Sequence, residues 1–430
     1  MVYVILLGSL LIGVPVAFAI LAALIWFMAV GEAPYHPRIV ATEMFGGMNS
    51  FPLLAIPLFV LAGELMNASG ITRRIIAFAI VIVGRLRAGL ALVNIWASVV
   101  FAGLSGSAVA DTSAIGRVFV PEMEKAGYPR DFSAALTAAS SVIGPIIPPS
   151  IPVIIYALTV GGVSVPALFM AGVVPGLLLA VFLSAYVMVI VGRVKTGGPT
   201  DRDALAAIPS KGGALLGGII PLLMPVFVVG AIVLGITTPT EAASFAVAYA
   251  LLVGVVLYRE IGLGQLGGIF ARSMRDSAII MIIIGAVSAA NWLLTYNRVP
   301  NMLTDWVLAN VDSAFVFLVM IIILFLFVGL FLEGIAAMLV LVPIVHPIAV
   351  SFGVDPVHFG IIVIFNLMIG LITPPLGLCL FVAEGVANVG MARLIRQILP
   401  FFFVELAVLI LITFVPVTVT GLPQLLGFIR

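Results

Sequence analysis

The chain has 430 residues, of which 63% are hydrophobic and 9% charged, with a formal net charge of +1. Soluble domains carry about a quarter charged residues, so a soluble globular protein is excluded, and without a basic cluster there is nothing to hold nucleic acid or another polyanion. The single cysteine, Cys379, lies in an apolar run, which leaves no disulfide framework and no Cys/His metal site.

Taken in chain order, apolar runs fall at about 2–30, 50–69, 89–104, 107–120, 131–160, 164–192, 213–234, 240–258, 276–296, 313–330, 335–350, 357–386 and 398–420. The first lacks a basic n-region and is too long for a signal-peptide core, so it is expected to remain as a spanning helix. Segments 70–88 and 259–275 mix apolar residues with Arg and Gly, and read either as interfacial amphipathic helices or as ordinary basic loops. The runs 89–104 with 107–120, and 313–330 with 335–350, are each divided by a polar, Gly-containing tip: Ser105-Gly106-Ser107 and Glu333-Gly334. Each pair is a re-entrant hairpin or two short spanning helices, and the short limbs favour the hairpin. The runs 131–160 and 357–386 carry double prolines in mid-run, which predicts two half-helices joined by unwound backbone. The polar stretch Val194–Gly212 reads as a linker between two halves.

The halves match without a gap at an offset of 226 residues. Phe101-Ala-Gly-Leu aligns with Phe327-Val-Gly-Leu, placing Gly103 against Gly329. Pro121 aligns with Pro347, Gly127 with Gly353, and Gly144-Pro-Ile-Ile-Pro-Pro with Gly370-Leu-Ile-Thr-Pro-Pro. Paired Gly/Pro-interrupted hydrophobic segments in two halves point to a secondary transporter that binds its cargo where the helices break. Threading the chain with the N-terminus inside collects Arg73, Arg74, Arg117, Lys125, Arg193, Arg202, Arg272, Arg396 and eight further Lys or Arg on one face. Only Arg38, Arg298 and Arg430 remain on the other, so the rich face is cytoplasmic and the C-terminus periplasmic. The hairpins then enter from opposite sides, and the repeat is inverted.

A sodium ion needs oxygen ligands in place of its water, and unwound backbone supplies free carbonyls. The cation candidates are Ser105, Gly144, Pro145 and Pro148 in the first half. In the second they are Gly329, Gly334, Gly370, Thr373, Pro374 and Gly377. Half-helix dipoles aimed at the centre favour an anionic group such as a carboxylate, for which the candidates are Ser105, Gly106, Ser107, Ser150 and Glu333. Glu333 would repel an anion unless protonated or paired with a cation. Asp111 is an intramembrane acid, either functional or paired with Arg117. His36, His346 and His358 show no metal spacing and read as structural. Gly103-Leu-Ser-Gly-Ser has no preceding strand and no His base, so no enzyme is expected.

The run Phe101-Ala-Gly-Leu-Ser-Gly-Ser-Ala-Val-Ala-Asp-Thr, with Pro121-Glu-Met-Glu-Lys-Ala-Gly-Tyr, Gly144-Pro-Ile-Ile-Pro-Pro-Ser, Gly235-Ile-Thr-Thr-Pro-Thr-Glu-Ala-Ala and Gly370-Leu-Ile-Thr-Pro-Pro-Leu-Gly, closely resembles the large membrane subunit of tripartite ATP-independent periplasmic (TRAP) transporters. The resemblance implies an inverted-repeat, elevator-type transporter with two re-entrant hairpins and two broken helices. It further implies a sodium-driven importer of an organic acid in a Gram-negative inner membrane, with sodium as coupling ion and no cofactor. A separate small four-helix subunit and a periplasmic substrate-binding protein are the implied partners. C4-dicarboxylates are the default cargo; sialic acid, other sugar acids and 2-oxo acids use the same architecture. A self-sufficient sodium–dicarboxylate symporter, a channel and a membrane scaffold are the alternatives. The expected organisation is scaffold over 1–88, a first transport half over 89–162, and scaffold over 163–275 with the linker 194–212 and a second interfacial helix. A scaffold helix and periplasmic connection follow over 276–312, then a second transport half over 313–390 and a C-terminal helix over 391–430.

Overall fold

The computed structural model describes residues 12–30, 38–84, 88–194, 211–374 and 376–429, together with 5, 6, 8, 9 and 86; the side chains of 211–216 are not among them. Among the described residues every regular element is a helix. The first half contains α1 (Val16–Val30), α2 (Arg38–Met48), α3 (Ala55–Ala68), α4 (Ile71–Val83), α5 (Gly89–Ser105), α6 (Ala108–Lys125), α7 (Arg130–Ser141), α8 (Ile151–Val160) and α9 (Val165–Val194). After α10 (Lys211–Val233), the second contains α11 (Pro239–Leu251), α12 (Leu263–Tyr296), α13 (Val299–Asn310), α14 (Ala314–Gly329), α15 (Gly334–Ser351), α16 (Pro356–Gly370), α17 (Leu378–Ala387), α18 (Met391–Phe414) and α19 (Val417–Leu425).

The offset seen in the sequence governs the helices. Adding 226 to the bounds of α6, 108–125, gives 334–351, the bounds of α15, and α4, α5, α7, α8 and α9 likewise begin within two residues of the starts of α13, α14, α16, α17 and α18. Matched glycines do matched work: Gly127 (φ 89°) and Gly353 (φ 74°) take the left-handed conformation that ends α6 and α15. The four hairpin limbs hold 17, 18, 16 and 18 residues, or roughly 24–27 Å at 1.5 Å per residue. That is short of a bilayer core of about 30 Å. As expected, α7 and α8 are separated by turns over 142–150, and α16 and α17 by turns over 371–374 and 376.

Packing exchanges elements between the repeats. α8 lies against α15 and α17 against α6, while α9 covers α16 and α18 covers α7, so the hairpins and broken helices form one two-fold core. Outside it, α11 packs on α3 and α1 on α12. Polar clips tie each hairpin to its broken helix. Asn94 Nδ2 donates to Thr137 Oγ1 (2.7 Å) and Ser140 Oγ to Asn94 Oδ1 (3.2 Å); in the other half Asn366, the counterpart of Ser140, donates to Ile322 O (3.0 Å). The Arg74 guanidinium stacks on Tyr258 (3.6 Å) and reaches Glu260 (3.8 Å), fixing α4 to the turn before α12.

Three expectations are corrected. The run Val2–Val30 is not one helix, because Gly13 (φ 84°) and Pro15 make a turn before α1. The second interfacial helix over 259–275 is no separate element: from Leu263 it is the first third of the 34-residue α12. Its counterpart α2 is cut from α3 at Ser50-Phe51-Pro52, whereas α12 has Asp276-Ser277-Ala278 there, with no proline to remove a donor. Segment 299–310, expected as connection, is the helix α13. Segment 70–88 does hold an amphipathic helix, α4, with Ile71, Ile75, Ile76, Ala79 and Val83 buried. The linker 194–212 falls almost wholly on residues 195–210, and Arg85, Arg87, Arg202, His36 and Arg430 with it lie outside the described residues.

α9 cradles the first break through two glycines: a Cβ at Gly172 would stand 2.3 Å from Ile146 O, and one at Gly176 2.3 Å from Ile147 Cγ1. Gly172→Ala is expected to destabilise the protein by about 1–3 kcal/mol through overpacking against backbone that cannot retreat. Gly230→Ala, with open space around its Cβ, should be neutral. Thermal midpoints of the two variants in detergent check this; equal midpoints would remove the cradle from the account.

Candidate substrate and cation site

The first tip is a connector between antiparallel helices built from three residues. Ser105 ends α5, Gly106 (φ 57°) turns the chain, and Ser107 is the N-cap of α6, its Oγ accepting from Ala110 N–H (3.4 Å). The Ser105 hydroxyl donates to Asp111 Oδ1 one turn into α6, and Ser105 Oγ accepts from Ser107 N–H (3.2 Å). Asp111 is therefore oriented by Ser105 and not by Arg117, from which it lies six positions along the helix; the ion-pair alternative is set aside. Its second oxygen, Oδ2, is buried and has no hydrogen-bond partner.

That oxygen faces the first break. A Cβ at Gly144 would lie 2.7 Å from Asp111 Oδ2, so the absent side chain is what admits the carboxylate. Pro149 O stands 3.1 Å from where a Gly106 Cβ would be, and Pro148 O 3.7 Å from that of Gly103. The tip and the break thus converge in close contact, bringing Ser105, Gly106, Gly144 and Pro148 together. Ser150 is the N-cap of α8, accepting from Val153 N–H (3.3 Å) and donating its hydroxyl to Pro145 O. That proton holds the break closed, while Pro145 O keeps its second lone pair.

The second half repeats the plan with different chemistry. Glu333 caps α15 by accepting from Ala336 N–H (3.1 Å). Gly329 and Gly370 touch backbone to backbone: a Cβ on Gly370 would lie 3.0 Å from Gly329 Cα and 3.1 Å from Gly329 O. Thr373 donates its hydroxyl to Ile369 O (2.7 Å), so toward a cation it can offer only a lone pair. Gly377 N–H donates to Thr373 O (3.1 Å), and a Gly377 Cβ would stand 2.5 Å from Leu371 O. Gly334 packs beside Leu367 and Met368 of α16, and Pro374 lies in the turn after α16. Helices α3 and α10 reach the first tip directly. Gly63 of α3 lies against Leu104 and Ser105, and Pro225 of α10 against Gly103.

His346 and His358 serve packing as expected: His346 Nδ1 pairs with the Tyr156 hydroxyl (3.1 Å) and His358 Nε2 with Ile412 O (2.9 Å). One residue the sequence reading passed over is Glu405 of α18, wholly buried. The rule that flags an intramembrane acid would have found it.

Discontinuous helices meeting at the centre of an all-α inverted repeat define a secondary transporter. The family described as "Tripartite ATP-independent periplasmic transporter, DctM component" matches residues 3–418. The chain is 39% identical to the sialic acid TRAP transporter large permease protein SiaM of Vibrio cholerae serotype O1, over 98% of each chain. It is 36% identical to the 2,3-diketo-L-gulonate large permease YiaN of Escherichia coli K12 (96% and 95% covered), and 35% to the C4-dicarboxylate large permease DctM of Rhodobacter capsulatus (99% of each). The solved YdaH transporter of Alcanivorax borkumensis shares the fold, with a TM-score of 0.66 over 93% of this chain and 96% of that one at 14% identity. The chain belongs to the TRAP transporter large permease family, and is a multi-pass membrane transport subunit rather than an enzyme.

Ser105→Ala removes the one donor that orients Asp111. Losing a hydrogen bond to a charged group in a desolvated site costs about 1.5–3 kcal/mol, so transport should fall roughly ten- to a hundredfold, with membrane expression unchanged. Ser107→Ala should depress transport comparably if its hydroxyl meets cargo. Wild-type rates in both variants would place the site elsewhere.

Proposed function

We propose that the chain is the membrane pathway of a sodium-coupled organic acid importer, working by an elevator motion with a small membrane subunit and a periplasmic binding protein in an inner membrane. The observation that carries the reading is an asymmetry within the inverted repeat. Scaffold helices α3 and α4 pack on α5, the first limb of the first hairpin, whereas their counterparts α12 and α13 pack on α15, the second limb of the second hairpin. Two halves of one design held in unequal contacts are what a single end-state of an alternating transporter must show. Exchanging the contacts between halves generates the opposite state.

The moving unit in this reading is α5–α9 with α14–α18. It includes α9, within the 163–275 segment expected as scaffold, because α9 packs on α5, α8, α16 and α18. The unpaired Asp111 Oδ2, Ser105 and the carbonyls of the first break suit one cation; Gly329 O, the carbonyls around 370–374 and the Thr373 lone pair suit another. Cations held there would offset Asp111 and Glu333 and leave the half-helix N-termini free to attract a carboxylate. Relatives named for sialic acid, diketogulonate and C4-dicarboxylates support an organic acid as the cargo class.

Thr373→Val keeps the volume and removes the oxygen, so the sodium concentration for half-maximal uptake of the acid retained by the cognate binding protein should rise roughly tenfold. Unchanged sodium dependence would return Thr373 to packing. For the motion, Leu339 and Val287 line one cavity of about 240 Å³ between α15 and α12, and their repeat counterparts are Ser113 and Leu61. In a Cys379→Ala background, a cysteine pair at 339 and 287 should cross-link in this state, and a pair at 113 and 61 in the opposite one. If sodium and acid never alter the ratio of the two cross-links, the elevator reading is wrong.

A further inference from the structure

Glu405 lies in mid-α18 on the buried face that also carries Phe401, Val408, Leu409 and Ile412. Neither of its carboxylate oxygens has a hydrogen-bond partner. α18 packs on α7, α9, α16, α17 and α19, and the groups these elements bring toward it are few. Tyr186 of α9 meets the Phe401 ring (5.2 Å), one turn from Glu405. His358 of α16 is bonded to Ile412 O, two turns the other way. Arg130, at the start of α7, is bonded to Glu124 and to Ala387 O, and α19 carries no titratable residue. α17, which begins at Leu378 directly after the second break, packs on α18; of its titratable groups Cys379 is buried and Glu384 lies in the last turn.

The repeat contains its own comparison. The counterpart of Glu405 is Leu179 of α9, also wholly buried. The fold is therefore content with a leucine at the symmetry-related place, and the acid in α18 is no requirement of packing. A metal ion would need a shell of oxygens to replace its water, and the residues flanking Glu405 on its face are apolar. A lone carboxylate among them can hold one thing, a proton, because the bare anion has no compensating charge or donor.

We infer that Glu405 is a proton-binding site of the moving unit, linked to the cation site at the second break. The inference rests on the cation reading proposed above. The Glu405 O–H stays intact while the break is closed. When water is admitted at the start of α17, where Cys379 donates its N–H to Leu371 O (3.0 Å), the proton passes to that water, and the returning carboxylate takes one back. The cycle thereby becomes sensitive to pH as well as to sodium.

Infrared difference spectroscopy of the full-length subunit in lipid, titrated toward alkaline pH, reads this directly. The wild type should show the carbonyl stretch of a buried protonated carboxyl that titrates away, and Glu405→Gln should lack that component. Carbon-13 labelling of glutamate separates the Glu405 band from one of Asp111, and Glu333→Gln separates it from one of Glu333, so the assignment survives even if Glu405→Gln fails to fold. A wild-type band that ignores the label, or that persists in Glu405→Gln, would overturn the site. Sodium chloride, against potassium chloride, should move the titration midpoint. An unmoved midpoint with the band assigned to Glu405 would overturn the linkage alone, while unaltered sodium dependence in Thr373→Val would strike the cation reading and leave the proton site standing.

Discussion

The structure depends on one constraint: backbone that leaves the helical ladder inside a membrane must find its partners in the protein. Nine residues are turned out of helix between α7 and α8, and a comparable stretch between α16 and α17. The first is buried almost throughout and the second in part, and that enclosure dictates the neighbours. α9 meets the first break with Gly172 and Gly176, the first hairpin with Gly103 and Gly106, and the second hairpin meets the second break glycine to glycine at 329 and 370. Ser150 takes up the carbonyl of Pro145 and Cys379 N–H that of Leu371.

The two breaks share geometry and differ in chemistry. The first is faced by an acid one turn inside a half-helix, where the N-terminal dipole favours negative charge, and a serine aims it. The second is faced by an acid that is itself the helix cap, so Glu333 spends one oxygen on Ala336 N–H. The first break thus meets a carboxylate oxygen left without a partner, whereas the acid of the second half is committed to its own helix.

Most of the fold was legible because glycine and proline leave marks that hydrophobic residues do not. The coincidences of Gly127 with Gly353, and of Gly144 with Gly370, became matched helix ends and matched close contacts. What escaped notice lay where that signal fails. The cut between α2 and α3 turns on one proline in one half, and its absence makes α12 continuous. α13 carries Pro300 in its first turn, which reads as a helix start only beside its counterpart α4. In the site, spacing brought Ser105, Gly106 and Gly144 together but could not say that Ser105 would take Asp111, nor that the Ser150 proton would be consumed by Pro145. Those facts belong to tertiary geometry. Glu405 was visible as a letter and passed over as one polar residue in a long apolar run.

The exchange of partners between repeats also sets the order in which the chain can be completed during synthesis. α3 begins at residue 55, and the helix it packs on, α11, begins at residue 239. At 5–20 residues per second a ribosome needs roughly 10–40 s to cover that interval. The first half must therefore wait in the bilayer with an unmatched face toward lipid, and only the late arrival of α11 and α12 closes it. Contacts so distant along the chain are slow to form and expose intermediates, so the period before residue 296 emerges is when this subunit is most open to misassembly or proteolysis.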